Sequence, residues 1–333
     1  MSRFLFVLFA LAGFAQSLVA QDPPAQAERF EPGVIAKDHW SFTPTFTPDY
    51  NTLYYARWRY PDRTPEPGQH QRLYVSHRIE GGWSEPEEVD ATRDWRVDWP
   101  HISADGRFFL SFAKAHPGHY GYPDRMVTRD PRVSDFDLWV APIGTDGVEW
   151  SQFAPIDSPG INRPKTPDNA KRGYVHNETG PATDTTGTLY FWTERLDDGG
   201  GRRDLYAAAP TATGWDKPTL LPAPLNSRYN ESGLCVAPDG SWIIFASERP
   251  GGFGESDLYL SRRTETGWST PANLGPAVNT SAGEAHPELA PDGRALFFTS
   301  NRPIAGVPES PGVDGRLGPV LNPYWVALES LGL

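Results

Sequence analysis

The chain has 333 residues, an acidic balance (30 Lys+Arg against 42 Asp+Glu, net charge −12) and a single cysteine. Its Gly and Pro content is high (32 and 34), but 12 Trp, 13 Tyr and 17 Phe supply the apolar area that disordered chains lack. Such a composition fits many short strands joined by turns. It excludes long helices, coiled coils and collagen-like repeats, and the negative balance argues against a nucleic-acid partner, which needs a basic face.

Residues 1–20 carry Arg3, an apolar run from Phe4 to Phe14 and a small residue at Ala20. This is the pattern of a secretory signal peptide, and nothing later approaches the ~18 apolar residues of a membrane span. Residues 21–29 then read as a flexible leader, and 30–333 as one domain. The expected location is periplasmic or secreted. Cys235 lies in an apolar run and reads as a buried small hydrophobe, so no disulfide holds the fold.

The remainder is built from repeats. Asn230–Arg249 (NESGLCVAPDGSWIIFASER) and Gly283–Arg302 (GEAHPELAPDGRALFFTSNR) align without gaps, with Asp239 and Asp292 spaced 53 residues apart. Earlier copies centre on Asp49-Tyr50, Asp105-Gly106 and Thr186-Gly187, and each is followed by a strand such as Asp257-Leu258-Tyr259. A Trp motif closes four of the copies, at Trp83, Trp150, Trp215 and Trp268. The Asp-Gly turn permits the positive φ of a tight hairpin, so each copy predicts a four-stranded antiparallel unit. One such sheet cannot bury both faces, and copies packed radially close into a propeller. The pattern E-x-x-P-x-x-A-P-D-G-x-x-x-x-F-x-S-x-R…D-L-Y resembles the WD-like β-propeller repeat of the TolB-type family, over residues 30 to about 328.

Five turns predict five blades, with six as the alternative because TolB-like propellers often have six. The fifth copy lacks its Trp motif after Tyr324-Trp325-Val326. Phe30-Glu31-Pro32-Gly33-Val34-Ile35 resembles Leu274-Gly275-Pro276-Ala277-Val278, so the N-terminal strand is expected to complete the last blade.

Turn spacings of 56, 81, 53 and 53 residues place two insertions in repeat two, at 113–135 and 157–176. Both connections should leave from the face opposite the Asp-Gly turns and cover one mouth of the channel. They carry Tyr120, Tyr122, Arg125, Arg163 and Arg172, residue types suited to a carboxylate or a sugar ring. At the starts of the innermost strands stand Asp38 and His39, Asp98 and His101, His176 and Glu178, Glu231, and Glu284 and His286.

The resemblance implies protein–protein contact at the cell envelope. The expectation is therefore an exported binding propeller that engages a protein, peptide or glycan at the loop-covered mouth, without a cofactor. The alternative is a carbohydrate-active hydrolase or lyase on an anionic sugar. There Glu231, Glu284 and Glu178 would be acid–base candidates, and His101, His176 and His286 would hold a divalent metal. No nucleophile elbow, phosphate loop, H-E-x-x-H or dinucleotide fingerprint occurs.

Overall fold

The computed structural model describes residues 22–31, 33–36, 39–58, 71–113, 136–163, 177–194, 203–307, 309–311 and 317–333. The segment read as a signal peptide, most of both insertions, and Asp38, Tyr120, Tyr122, Arg125, Arg172 and His176 fall outside these residues.

The alternating apolar runs of each repeat pair as antiparallel neighbours, inner to second to third to outer. Blade 4 shows the plan: Glu231–Val236, Trp242–Ser247, Asp257–Thr264, then an outer edge split into Gly267–Trp268 and Ala272–Asn273. Blades 1, 2 and 3 begin with inner strands at Trp40–Ser41 and Thr45–Phe46, at Val97–Ile102 and at Glu178–Thr183. Blade 5 runs Glu284–Leu289, Ala295–Ser300 and Asn322–Ala327. The molecule is a five-bladed, all-β propeller. Among the described residues there is no α-helix, and no helix long and apolar enough to cross a membrane.

The ring closes as the sequence anticipates, with a shift in the paired residues. Glu28–Arg29 forms the outer strand of blade 5, Glu28 opposite Trp325 and Arg29 opposite Tyr324. The strand thus lies at the end of the segment read as leader. It ends where Phe30 donates its N–H to Pro323 O (2.9 Å) and turns its ring onto Phe46, Phe297 and Trp325. Leu274 makes the equivalent bond to Leu258 O in blade 4, and Ile35 and Val278 are both buried after it, so the alignment of the two segments holds.

Five apolar clusters sit between successive blades, including the one that joins blade 5 to blade 1. The Trp motifs supply their outer parts. Trp215 of blade 3, for example, packs edge-on against Phe109 of blade 2 at 5.8 Å, and its indole N–H donates to Gly187 O at 3.0 Å. Between blades 4 and 5, where no Trp motif exists, Leu328, Leu331 and Leu333 pack instead.

A second repeated device is not obvious from the strand pattern. Asn162, Asn226 and Asn279 each accept an N–H from the third strand and donate back to the carbonyl of the same residue (Leu138, Leu205 and Leu258), pinning the blade-to-blade crossover.

Candidate functional site

Counted back from the turn residue of each repeat, the inner strands carry three columns of side chains near the bore. Eight residues before the turn stand Glu178, Glu231 and Glu284. Each is fully buried, and each is bound within its own blade and the crossover that leads into it. Glu231 accepts from Ser227 Oγ (2.7 Å), Ser227 N (2.9 Å), Ser247 Oγ (2.9 Å) and Arg249 Nη2 (3.2 Å). Glu284 repeats the set with Thr280 Oγ1 and N, Ser300 Oγ and Arg302 Nη2. Glu178 accepts from Thr193 Oγ1 and from the backbone N–H of Arg163 (3.4 Å). Arg163 thus occupies the crossover position of Ser227 and Thr280, through its backbone. These bonds satisfy buried charge, which is otherwise costly.

Six residues before the turn stand Thr43, Trp99, Gly180, Gly233 and His286. The last four all have left-handed backbones, with φ of +45°, +66°, +41° and +56°. Each marks an irregularity in the pairing of its inner strand with the second strand. The bulge turns Trp99 into the bore, where its ring meets His286 at a centroid distance of 3.6 Å; Phe42 stacks beyond His286 at 5.2 Å. Gly233 lies against the edge of the same indole, and a Cβ there would stand 2.0 Å from it. Side chains from three blades therefore meet in the bore at this level, with the glycine of a fourth against them. Burial, with a smaller contribution from Arg203, lowers the His286 imidazole to about 3, so it is neutral at ordinary pH.

On the side of the long connections, this aromatic floor is bordered by a polar wall. Asp98 accepts the N–H of Trp99 (2.9 Å), and burial pushes its carboxyl up to about 6 against the opposing pull of Arg96. Arg96 donates to Gln71, while Arg203 pairs with Glu194 at 3.1 Å and lies over Trp192. Asn177 donates to the same Glu194. His39 is partly buried just ahead of the first inner strand.

Four residues before the turn stand Thr45, His101, Ala182, Cys235 and Glu288, and here the structure departs from the expected grouping. His101 is the fifth residue of a six-residue strand, about 10 Å along it from Asp98 at ~3.3 Å per residue. It faces the opposite mouth, on the side of the Asp-Gly turns. Its Nδ1 lies 3.0 Å from Glu288 Oε1 and its Nε2 lies 3.0 Å from Thr183 Oγ1. Thr45 Oγ1 also donates to Glu288 Oε1 (2.8 Å). These groups form the floor of a cavity of about 170 Å³. Glu288 is not singled out by the sequence reading; its signal is a carboxylate in a column otherwise holding Thr, His, Ala and Cys. Among the described residues, no three His, Cys, Asp or Glu side chains are grouped to hold a metal ion.

No protein-family model matches the chain, and no curated protein matches it in sequence. Solved structures similar to it include TolB of Acinetobacter baumannii, at 14% identity and a TM-score of 0.44, covering 86% of this chain and 54% of that one. This chain therefore spans about half the length of that TolB. An α-L-arabinofuranosidase of Lactobacillus brevis is 11% identical (TM-score 0.47, 87% of this chain and 90% of that one). The exo-β-1,3-galactanase 1,3Gal43A of Clostridium thermocellum is 15% identical (TM-score 0.48, 90% and 61%). The propeller itself is established by the strand pairing and does not depend on them.

Proposed function

We propose that this propeller is an exported binding protein of the cell envelope, which holds a protein, peptide or glycan ligand at the mouth bordered by the long connections and does not transform it. One observation carries the reading. The repeat carboxylates that glycosidic acid–base chemistry would call on, Glu231 and Glu284 above all, are buried and bound to Ser or Thr hydroxyls, backbone amides and Arg of their own surroundings. A general acid or nucleophile must instead reach its substrate. The Asp98, Arg96, Gln71, Arg203 and Glu194 side chains around the Trp99–His286 floor supply a wall with both donors and acceptors, suited to recognition.

The test has two arms. Aryl glycosides and polyuronates are screened for turnover with the wild type and with Glu231→Gln; no turnover is expected. Arrays of immobilised envelope glycans and of extended peptides are probed with the wild type and with Arg203→Ala, and binding weakened by the substitution is expected. Turnover that Glu231→Gln abolishes while its melting transition is preserved would replace the reading with the hydrolase or lyase alternative.

A further inference from the structure

We propose that the opposite mouth, framed by the Asp-Gly turns, is a second and separate site, built to take an aliphatic ammonium group. The cavity there is about 170 Å³, room for about five water-sized groups at ~30 Å³ each, so it accepts an alkyl chain of a few carbons with a polar head. Much of its wall is apolar: Phe46, Ile102, Ala182, Val236 and Ala290 line it beside polar groups such as Ser103 and Thr185, and Pro48, Pro238 and Pro291 stiffen the rim.

The charges in this cavity have one sign. Among the described residues, Glu288 and Asp184 line it and no Lys or Arg does. Asp184 is committed to its own turn: it accepts from Thr186 N (2.9 Å), Thr186 Oγ1, Thr188 N and Tyr190 OH. Glu288 is different. It is 6% exposed; its Oε1 accepts from Thr45 and His101, while its Oε2 has only a 3.3 Å contact with the same His101 Nδ1. A carboxylate offers about four lone-pair sites, so Oε2 keeps acceptor capacity toward the cavity.

The hydrogen-bond directions add a second acceptor. His101 Nδ1 faces Glu288 and its Nε2 meets the Thr183 hydroxyl, whose oxygen keeps at least one lone pair for a further donor whichever way that bond runs. Burial and the Glu288 charge push the Cys235 thiol well above its ordinary range, so this wall residue stays a neutral thiol. An anion would meet a buried negative charge, and a neutral apolar guest would leave that charge uncompensated. An ammonium head on a short alkyl stem satisfies Glu288 Oε2 and Thr183 Oγ1 while its stem meets the apolar wall. The net charge of −12 favours its approach. A free alkylamine and a lysine side chain of a partner present this same chemistry.

The experiment titrates the full ¹⁵N-labelled chain with n-butylammonium, n-butanol and butanoate, following the backbone amides of Ala182, Val236 and Ala290. Saturable shifts at these amides are expected with butylammonium, at least tenfold tighter than butanol, and none with butanoate. Glu288→Gln should weaken butylammonium about tenfold by replacing a charge-assisted contact with a neutral one. A lysine-centred pentapeptide compared with butylammonium distinguishes the two sources: tighter peptide binding assigns the site to a protein side chain, weaker binding to a free amine. Butanol or butanoate binding as well as butylammonium, or no saturable shift with butylammonium, overturns the proposal. That selectivity series uses the wild type, so it decides even if Glu288→Gln does not fold.

Discussion

The filled bore makes a quantitative prediction about Gly233. A methyl group there would lie 2.0 Å from Cη2 and 2.5 Å from Cζ2 of Trp99, with the His286 amide nitrogen at 3.2 Å. The indole has little room to withdraw, because the His286 ring lies at a centroid distance of 3.6 Å. The φ of +41° adds a left-handed penalty of about 1–2 kcal/mol for any residue with a Cβ. Overpacking of a close-packed interior adds roughly 1–3 kcal/mol, so Gly233→Ala should cost about 2–5 kcal/mol in all. With an unfolding entropy of ~2.1 cal/mol/K per residue over ~300 residues, the melting temperature should fall by about 3–8 °C. Trp99→Ala destabilises on its own account, but it removes the ring that the new methyl would strike. In that background Gly233→Ala should cost only the backbone strain, leaving a coupling of roughly 1–3 kcal/mol between the two sites. Calorimetric or urea unfolding of the four chains completes the cycle. Equal cost of Gly233→Ala with and without Trp99 would refute the picture of a bore filled by that ring.

Other substitutions probe the remaining features. Asp98 has a folded-state pKa raised to about 6 by burial, so its contribution to stability is present below about pH 4 and lost as the pH rises through 6. Asp98→Asn should therefore gain on the wild type by about 2–3 kcal/mol between pH 4 and pH 7, read from melts across that range; a constant difference would show that the carboxyl is not so perturbed. Glu284→Ala leaves Arg302 and two hydroxyls without their buried acceptor and should cost about 3–5 kcal/mol in urea unfolding. Phe30→Ala, which empties a site bounded by Phe46, Phe297 and Trp325, should cost about 3–5 kcal/mol by the same measurement. A loss under ~1 kcal/mol would mean that the closing strand is not held by that ring.

The architecture was legible because the repeats are near copies. A 53-residue period, an Asp-Gly turn and a Trp motif gave the blade count, and the likeness of Phe30–Ile35 to Leu274–Val278 gave the closure. The paired residues came out just ahead of that segment because Phe30 ends the strand and turns inward, a matter of packing that similarity alone does not show. The bore was less legible. Trp99, Gly233 and His286 share one alignment column, but a column does not state that a large ring in one blade requires a glycine across the axis. His101 was grouped with Asp98 at a strand start, although three residues along a strand carry a side chain toward the other mouth. Glu178, Glu231 and Glu284 read both as repeat-pattern residues and as possible catalysts, and the Ser and Thr hydroxyls that bind their buried carboxylates belong to other parts of each repeat, which the Glu column alone does not show. Glu288 escaped notice because its partners, Thr45 and His101, belong to two other blades.

The seam in blade 5 has a kinetic consequence. Glu28 and Trp325 pair across almost three hundred residues of chain. At ~5–20 residues per second, synthesis of that interval takes roughly 15–60 s, during which the first strand lacks the strand it pairs with. Loop-closure entropy adds to the delay, since distant ends must meet before their contacts give any return. Early blades can pack pairwise in the meantime, but the circle locks only when its oldest and newest strands find each other. Opening it again means unpairing this junction or parting one of the apolar interfaces between blades.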